Sequence, residues 1–419
     1  MNLTIIAPHY PPSALPPSQR VRLMMNHFSS LEVSATVVTV DPAYREETED
    51  PWMLELVGNH HDVKYCRVLN PKITRKLGIG DLGLRMLPFL FFKLLKLCRQ
   101  QKTDFLLYPV PPWYILAIAP IVKAITGVPY AIDYIDPWVE GGELPANATF
   151  KRKVSQVIAH RLEGWVTRKA DLVFAVSEGI NVQLRDRHPE LSAENMLAVP
   201  YGAEKNDFTP VEKVDTKNQE SFLIRYIGAV WDDAYQVIDA LMESLSRVDF
   251  NFKGEFYGTS YAGGDLAKAQ LDPFLERYSL TNQIIEFPNR VAYQKAIQLN
   301  LESDVLLLFG GMQSYYAASK LFGLVVSGKP FVAFLHKDSF PAQFLTDLDY
   351  PYLITYSNKE AELPIHQVKN LMECFNRIHS EIGKFTPLDI NDKRIQQHTA
   401  KGMTTSFVIP MKKKCNERL

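Results

Sequence analysis

Cysteine is scarce in this chain. The four present, Cys66, Cys98, Cys374 and Cys415, are far apart and include no CxxC pair. That argues against a disulfide framework or a thiolate zinc site and fits a reducing compartment. The ten histidines contain no HxxxH pair of the zinc-helix kind, and the adjacent His60 and His61 read as a loop pair. An excess of one charge is missing as well. Lys and Arg number 46 against 47 Asp and Glu, for a net charge of -1, so nothing pulls the chain globally toward nucleic acid. No stretch approaches the roughly 20 apolar residues that a spanning helix needs. The most lipid-like run, Leu82 to Cys98, is interrupted by Arg85, Pro88, Lys93 and Lys96. The N-terminus enters a strand pattern directly, without a basic segment followed by an apolar one, so no signal peptide is expected and the expected location is cytoplasmic. Low-complexity segments are absent, and no GxGxxG follows the first strand, which weighs against a plain dinucleotide dehydrogenase.

What is present is a regular alternation. With 419 residues, the chain reads as two domains. Short β-branched or aromatic runs alternate with longer amphipathic ones, the pattern of a parallel α/β sheet. In the first half, strands are predicted at Leu3–Ala7, Ala35–Val40, Val63–Arg67, Phe105–Tyr108, Tyr130–Asp133, Leu172–Ala175 and Met196–Val199. Asp207 to Glu220 breaks the rhythm with Pro210 and many charges, as a linker would. Strands then resume at Phe222–Ile227, Phe252–Tyr257, Ile284–Phe287, Val305–Phe309 and Phe331–Phe334, with helices between them, including Asp265–Tyr278 and Ser319–Val326. The predicted organisation is an α/β chain with a doubly wound N-terminal domain (1–206), a doubly wound C-terminal domain (207–388) and a helical tail (389–419) that packs back on the first domain. Ligands of open α/β sheets bind at the carboxyl ends of strands, so a cleft between the domains is the expected site.

Three segments could carry chemistry. The first strand ends in Ala7-Pro8-His9-Tyr10-Pro11-Pro12, followed by Arg20 at a helix start. Such a loop suits an anion, with Arg20 as a bidentate phosphate contact. The plain structural alternative is a proline-rich turn. Next, Tyr130-Ala131-Ile132-Asp133-Tyr134-Ile135-Asp136-Pro137-Trp138 runs from a buried strand into a polar loop. Asp136 is placed to hold a sugar hydroxyl or act as a general base; the alternative is an Asp-Pro turn with a buried tryptophan. Third, Gly310-Gly311 follows a strand, and Ser319 can cap a helix that Lys320 begins. Free N–H groups and a lysine there would suit a diphosphate; the alternative is an ordinary capped βαβ unit. No metal site is evident, and Asp347-Leu348-Asp349 has the form of a common chance tripeptide.

These motifs together resemble the family 4 retaining glycosyltransferases of GT-B fold, closest to the bacterial branch that builds surface polysaccharides. The resemblance rests on His9-Tyr10-Pro11-Pro12 with Arg20, on the Asp133 to Trp138 segment, on Pro200-Tyr201-Gly202-Ala203-Glu204, on Tyr226-Ile227-Gly228 and on Ser319-Lys320-Leu321-Phe322-Gly323 through Pro330. It implies two Rossmann-like domains facing across a cleft. It also implies a nucleotide diphosphate sugar as donor, a glycan or lipid-linked acceptor, retention at the anomeric carbon in a hexosyltransferase-type reaction, and no metal or other cofactor. By this resemblance Asp136 and Lys320 are catalytic; His9, Arg20 and Trp138 bind acceptor; Gly228, Gly310, Gly311, Ser319, Lys320 and Leu321 bind donor.

The chain departs from the family pattern in places. Tyr315 and Gly323 stand where many members carry glutamates for the sugar and the ribose. Ala229-Val230-Trp231-Asp232-Asp233 stands where an Arg and a Lys usually hold the diphosphate. The catalytic-base histidine of the wider family has no counterpart beyond the Asp136 region. A non-catalytic sugar- or partner-binding protein of the same fold is therefore the alternative, with a sugar-nucleotide epimerase ranked third. Arg85, Lys93, Lys96 and Arg99 on one predicted helix suggest a partner in the inner-leaflet membrane surface; the alternative is a core helix with one wet face.

Overall fold

The computed structural model describes residues 1–58, 62–100, 103–139, 150–209, 221–261 and 264–417. His60, His61 and the linker residues 210–220 lie outside that range. The chain divides into two compact units: Met1–Pro200 with Ala400–Leu419, and Tyr201–Thr399.

The first unit is built on a parallel sheet of seven strands among the described residues: β1 (Asn2–Ile6), β2 (Ser34–Val40), β3 (Asp62–Cys66), β4 (Phe105–Val110), β5 (Tyr130–Tyr134), β6 (Leu172–Ala175) and β7 (Met196–Ala198), in the order β3-β2-β1-β4-β5-β6-β7. Ile5 pairs with Val37 on one side and Leu107 on the other. The central β4 and β5 are buried along their whole length. That burial explains why β4 reads as a continuous apolar run rather than an alternating one. The helix Ala400–Asn416 belongs to this unit and sets Phe407 against Phe174 of β6, ring centroids 4.4 Å apart.

The second unit repeats the plan with six strands among the described residues: β8 (Phe222–Ile227), β9 (Phe252–Tyr257), β10 (Ile284–Phe287), β11 (Val305–Phe309), β12 (Phe331–His336) and β13 (Leu353–Tyr356), all parallel, in the order β10-β9-β8-β11-β12-β13. In both sheets the order reverses beside the first strand, between β1 and β4 and between β8 and β11. Such a reversal opens a crevice beyond the carboxyl ends of the two strands.

Two helices differ from the sequence pattern. Asp265–Tyr278 is a short 3-10 turn, Gly264–Leu266, and a separate helix, Asp272–Arg277. The N–H groups of Gln270 and Leu271 bind the Glu286 carboxylate, at 2.8 and 2.9 Å, in place of helix carbonyls. The predicted Ser319–Val326 helix begins later and spans Leu321–Ser327. Its cap position is Lys320, and no side chain caps it, so Ser319 does not act as the cap. Gly328, at φ 67°, closes it in the left-handed conformation. Between Phe334, where the predicted strands stop, and the predicted helical tail, the chain adds the helix Phe340–Asp347, edge strand β13 and the helix Val368–Glu381.

Candidate functional site

In the second unit the switch point between β8 and β11 is where Gly228 and Gly310 fall. Tyr226, near the end of β8, is buried, stacks on Phe309 at 4.1 Å and donates its hydroxyl to the Ala229 carbonyl at 2.9 Å. The Lys320 amine lies over the Tyr226 ring, 4.6 Å from its centroid. This is a cation–π placement, and the amine makes no hydrogen bond or ion pair among the described residues. A Cβ at residue 228 would fall 1.3 Å from Lys320 Nζ. Glycine is therefore what lets the lysine occupy this place. Burial of the amine, with the Arg290 charge second, lowers the Lys320 pKa to about 7. Part of the residue still reaches solvent; the desolvated portion is the amine end, which decides the titration. Leu321 is fully buried and Ser319 is exposed.

The Gly310-Gly311 loop is packed by side chains rather than left open as a cradle. A Cβ at Gly310 would meet the Tyr316 ring at 2.9 Å, and one at Gly311 would meet Asp233 Oδ2 at 2.1 Å and Trp231 Nε1 at 3.1 Å. Asp233 also accepts from Gln313 Nε2 at 3.4 Å, and Tyr356 donates to the Gly311 carbonyl at 2.8 Å. The Trp231-Asp232-Asp233 segment thus holds the glycine loop in shape. The cation that the sequence reading missed is Arg290, just past β10, whose guanidinium lies over Tyr261 at 5.8 Å and whose field reaches Lys320. Its signal was a basic residue shortly after a strand's carboxyl end. At Gly323, a Cβ would meet nothing within 4 Å.

In the first unit, Arg20 is not a ligand contact in this structure. It is fully buried and bidentate to Asp133, Nε to Oδ2 and Nη2 to Oδ1, both at 2.8 Å. Nη2 also donates to the Val199 carbonyl at 2.7 Å, and the guanidinium lies 5.1 Å from the Phe407 ring. A phosphate would have to replace that carboxylate, so the acceptor role expected for Arg20 gives way to a structural one, joining β5, the end of β7 and the last helix. Asp133 rather than Asp136 is its partner because Asp133 still lies in β5 and points into the core.

Asp136 stands on the bend after β5 and is exposed, while the protein packed around its carboxyl raises its pKa. The open face limits that push. Trp138 is buried edge-on against Tyr114, centroids 5.7 Å apart, so it packs rather than presenting a face to an acceptor. His9, on the loop after β1, pairs through Nδ1 with Glu47 Oε1 at 2.9 Å. Burial pushes the Glu47 carboxyl up, but its hydrogen bonds to His9 and Ser13 outweigh that and hold it below the ordinary value. Of the acceptor candidates, His9 and Asp136 keep surface, while Arg20 and Trp138 do not.

The basic stripe on the helix Leu82–Gln100 is divided. Arg85 is buried against Glu46, Lys93 donates to the Tyr65 carbonyl at 2.6 Å, and Lys96 and Arg99 are exposed beside Phe92, which is 71% exposed. Among the described residues no helix is long and apolar enough to cross a membrane, and no cluster of three or more His, Cys, Asp or Glu side chains is arranged to hold a metal ion.

Residues 17–202 match the family model of the glycosyl transferase 4-like domain. No curated protein matches the chain. Solved structures match along its whole length. Sucrose-phosphate synthase from Thermosynechococcus elongatus superposes with a TM-score of 0.67 at 11% identity, covering 100% of both chains. A glycosyltransferase from Rickettsia africae ESF-5 gives 0.62 at 12% identity, covering 98% of each. Anabaena HepE in complex with UDP gives 0.61 at 14% identity, covering 100% of both; a second structure of HepE holds UDP-glucose. At these identities the likeness is one of fold, and the fold is GT-B.

Proposed function

For a chain whose residues 17–202 match the glycosyl transferase 4-like model, we propose transfer of a sugar from a nucleotide diphosphate sugar to the hydroxyl of a glycan or lipid-linked acceptor, with retention at the anomeric carbon. One observation carries this reading: the Lys320 amine, desolvated over Tyr226 at the switch point of the second sheet, has no carboxylate or hydrogen-bond partner of its own among the described residues. An unneutralised buried cation beside strand ends is a ready seat for a diphosphate. Lys320, supported by Arg290, would stabilise charge on the departing diphosphate. Leu321 and the glycine loop would shape the donor site, and Asp136 would orient or deprotonate the acceptor hydroxyl. The fold match to HepE, whose structures hold UDP and UDP-glucose, makes a uridine nucleotide the first donor to try. The exposed Phe92, Lys96 and Arg99 suit a peripheral position on an anionic membrane surface, in line with surface-polysaccharide synthesis.

The test is calorimetric titration with UDP and UDP-glucose alongside an assay of nucleotide release. Lys320→Ala is expected to abolish donor binding while the melting temperature holds. Unchanged binding would move the donor site elsewhere. A second reading, a binder without transferase activity, is favoured by Gly323, where space for the family carboxylate exists but no carboxylate does. Donor binding without any nucleotide release, with acceptors present, would select it.

A further inference from the structure

The first unit contains a pair of arginines around one carboxylate that is incompletely matched to them. Arg85 is fully buried in the helix Leu82–Gln100. Its Nη1 donates to Glu46 Oε2 at 2.6 Å, while its Nε and Nη2 are buried with no hydrogen-bond partner. The other oxygen of the same carboxylate, Oε1, meets Arg75 Nη2 at 2.9 Å. Arg45, the preceding residue, also holds a buried Nε without a partner. Unmade donors on a buried guanidinium are costly, and one planar carboxylate reached through a single nitrogen does not satisfy them.

We propose that Arg75 and Arg85 form a seat for a phosphate ester, which Glu46 fills as an internal stand-in and leaves when the ester binds. Three features support this chemistry. A tetrahedral phosphate offers more acceptor oxygens than a carboxylate and matches the guanidinium fork. Glu46 is 38% exposed on its side chain, so the way to Arg85 runs past the group that now covers it. Arg75 is flanked by Ile73 and Leu77, which are 63% and 74% exposed, so the ester's other arm would meet apolar surface. The field of Arg85 also reaches the Asp81 carboxyl, the charge that an incoming anion would have to tolerate there. The seat stands independently of whether the second unit transfers sugar.

The experiment titrates the full chain, Glu46→Gln and Arg75→Gln with phenyl phosphate at low salt, with thermal melts confirming that all three are folded. Removing the internal competitor is expected to tighten binding by about tenfold, and removing one guanidinium to weaken it by about tenfold. Flotation with phosphatidylglycerol vesicles, against phosphatidylcholine alone, separates the two sources of such a group. Vesicle binding that follows the same order assigns a lipid headgroup. Vesicle binding indifferent to both substitutions, with phenyl phosphate still following the order, confines the seat to free phosphate esters. Equal phenyl phosphate affinity in all three proteins, or none in Glu46→Gln up to about 10 mM, would overturn the proposal.

Discussion

The amine of Lys320 occupies the place where a side chain at Gly228 would begin: the two positions are 1.3 Å apart. Residues on different strand-end loops are thus matched as one unit, a missing Cβ on β8's loop and a cation ahead of the helix Leu321–Ser327. Gly228→Ala should push the amine off the Tyr226 ring without unfolding the domain, because the colliding atoms are the mobile end of a lysine. Donor affinity measured with UDP is expected to fall at least about tenfold, the scale of one charge-assisted contact. An alanine variant that binds UDP as tightly as the parent would show that the amine's present position is irrelevant to the donor.

The depressed Lys320 pKa, about 7, gives donor binding a pH signature. A diphosphate prefers the ammonium form and raises its pKa, so binding takes up a proton above pH 7. Affinity should be flat below pH 7 and fall by up to about tenfold per pH unit above it, until the pKa of the complex is reached. Titration at pH 8 in buffers of different ionisation enthalpy reads the uptake directly. Stability carries the matching sign. Between about 7 and the ordinary lysine value the unfolded chain binds more protons than the folded one, so stability from this group rises with pH across that window and is lost below it. Proton-neutral UDP binding at pH 8 would exclude Lys320 as the responding group.

Asp133 and Asp136 are expected to separate cleanly. Asp133→Asn strips the counter-charge from a fully buried Arg20 and should cost about 3–5 kcal/mol, seen as a large fall in denaturant midpoint. Asp136→Asn alters an exposed bend and should leave the midpoint within about 0.5 kcal/mol of the parent, while slowing transfer more than it weakens UDP binding. If the two variants melted alike, the structural and chemical roles drawn for them would be wrong.

Gly323 sits inside the helix Leu321–Ser327 with nothing within 4 Å of its ideal Cβ. Gly323→Ala should therefore stabilise the protein by about 0.5–1 kcal/mol through helix propensity alone. A lowered melting temperature would reveal a packing constraint there.

Much of the architecture was legible along the chain, because short apolar or aromatic runs stand out between longer amphipathic ones; β6, β8, β9, β10 and β11 occur where those runs predict them, and β6 and β11 are buried along their whole length. Helix starts were less legible. Ser319 has the right chemistry for a cap, but whether its oxygen reaches an N–H depends on the path of the preceding loop.

The sequence by itself determined the two-sheet α/β plan, the parallel strand order's raw material, and the placing of Gly228, Gly310 and Lys320 at strand ends, since these follow from local periodicity and turn chemistry. Only the tertiary structure decided which polar side chains stay reachable. Arg20 and Arg85 look like surface cations in the sequence, yet both are buried and each meets a carboxylate far away along the chain, Asp133 buried with Arg20 and Glu46 covering Arg85 from the surface. Pairing of that kind depends on how strands and helices stack, and no local pattern encodes it.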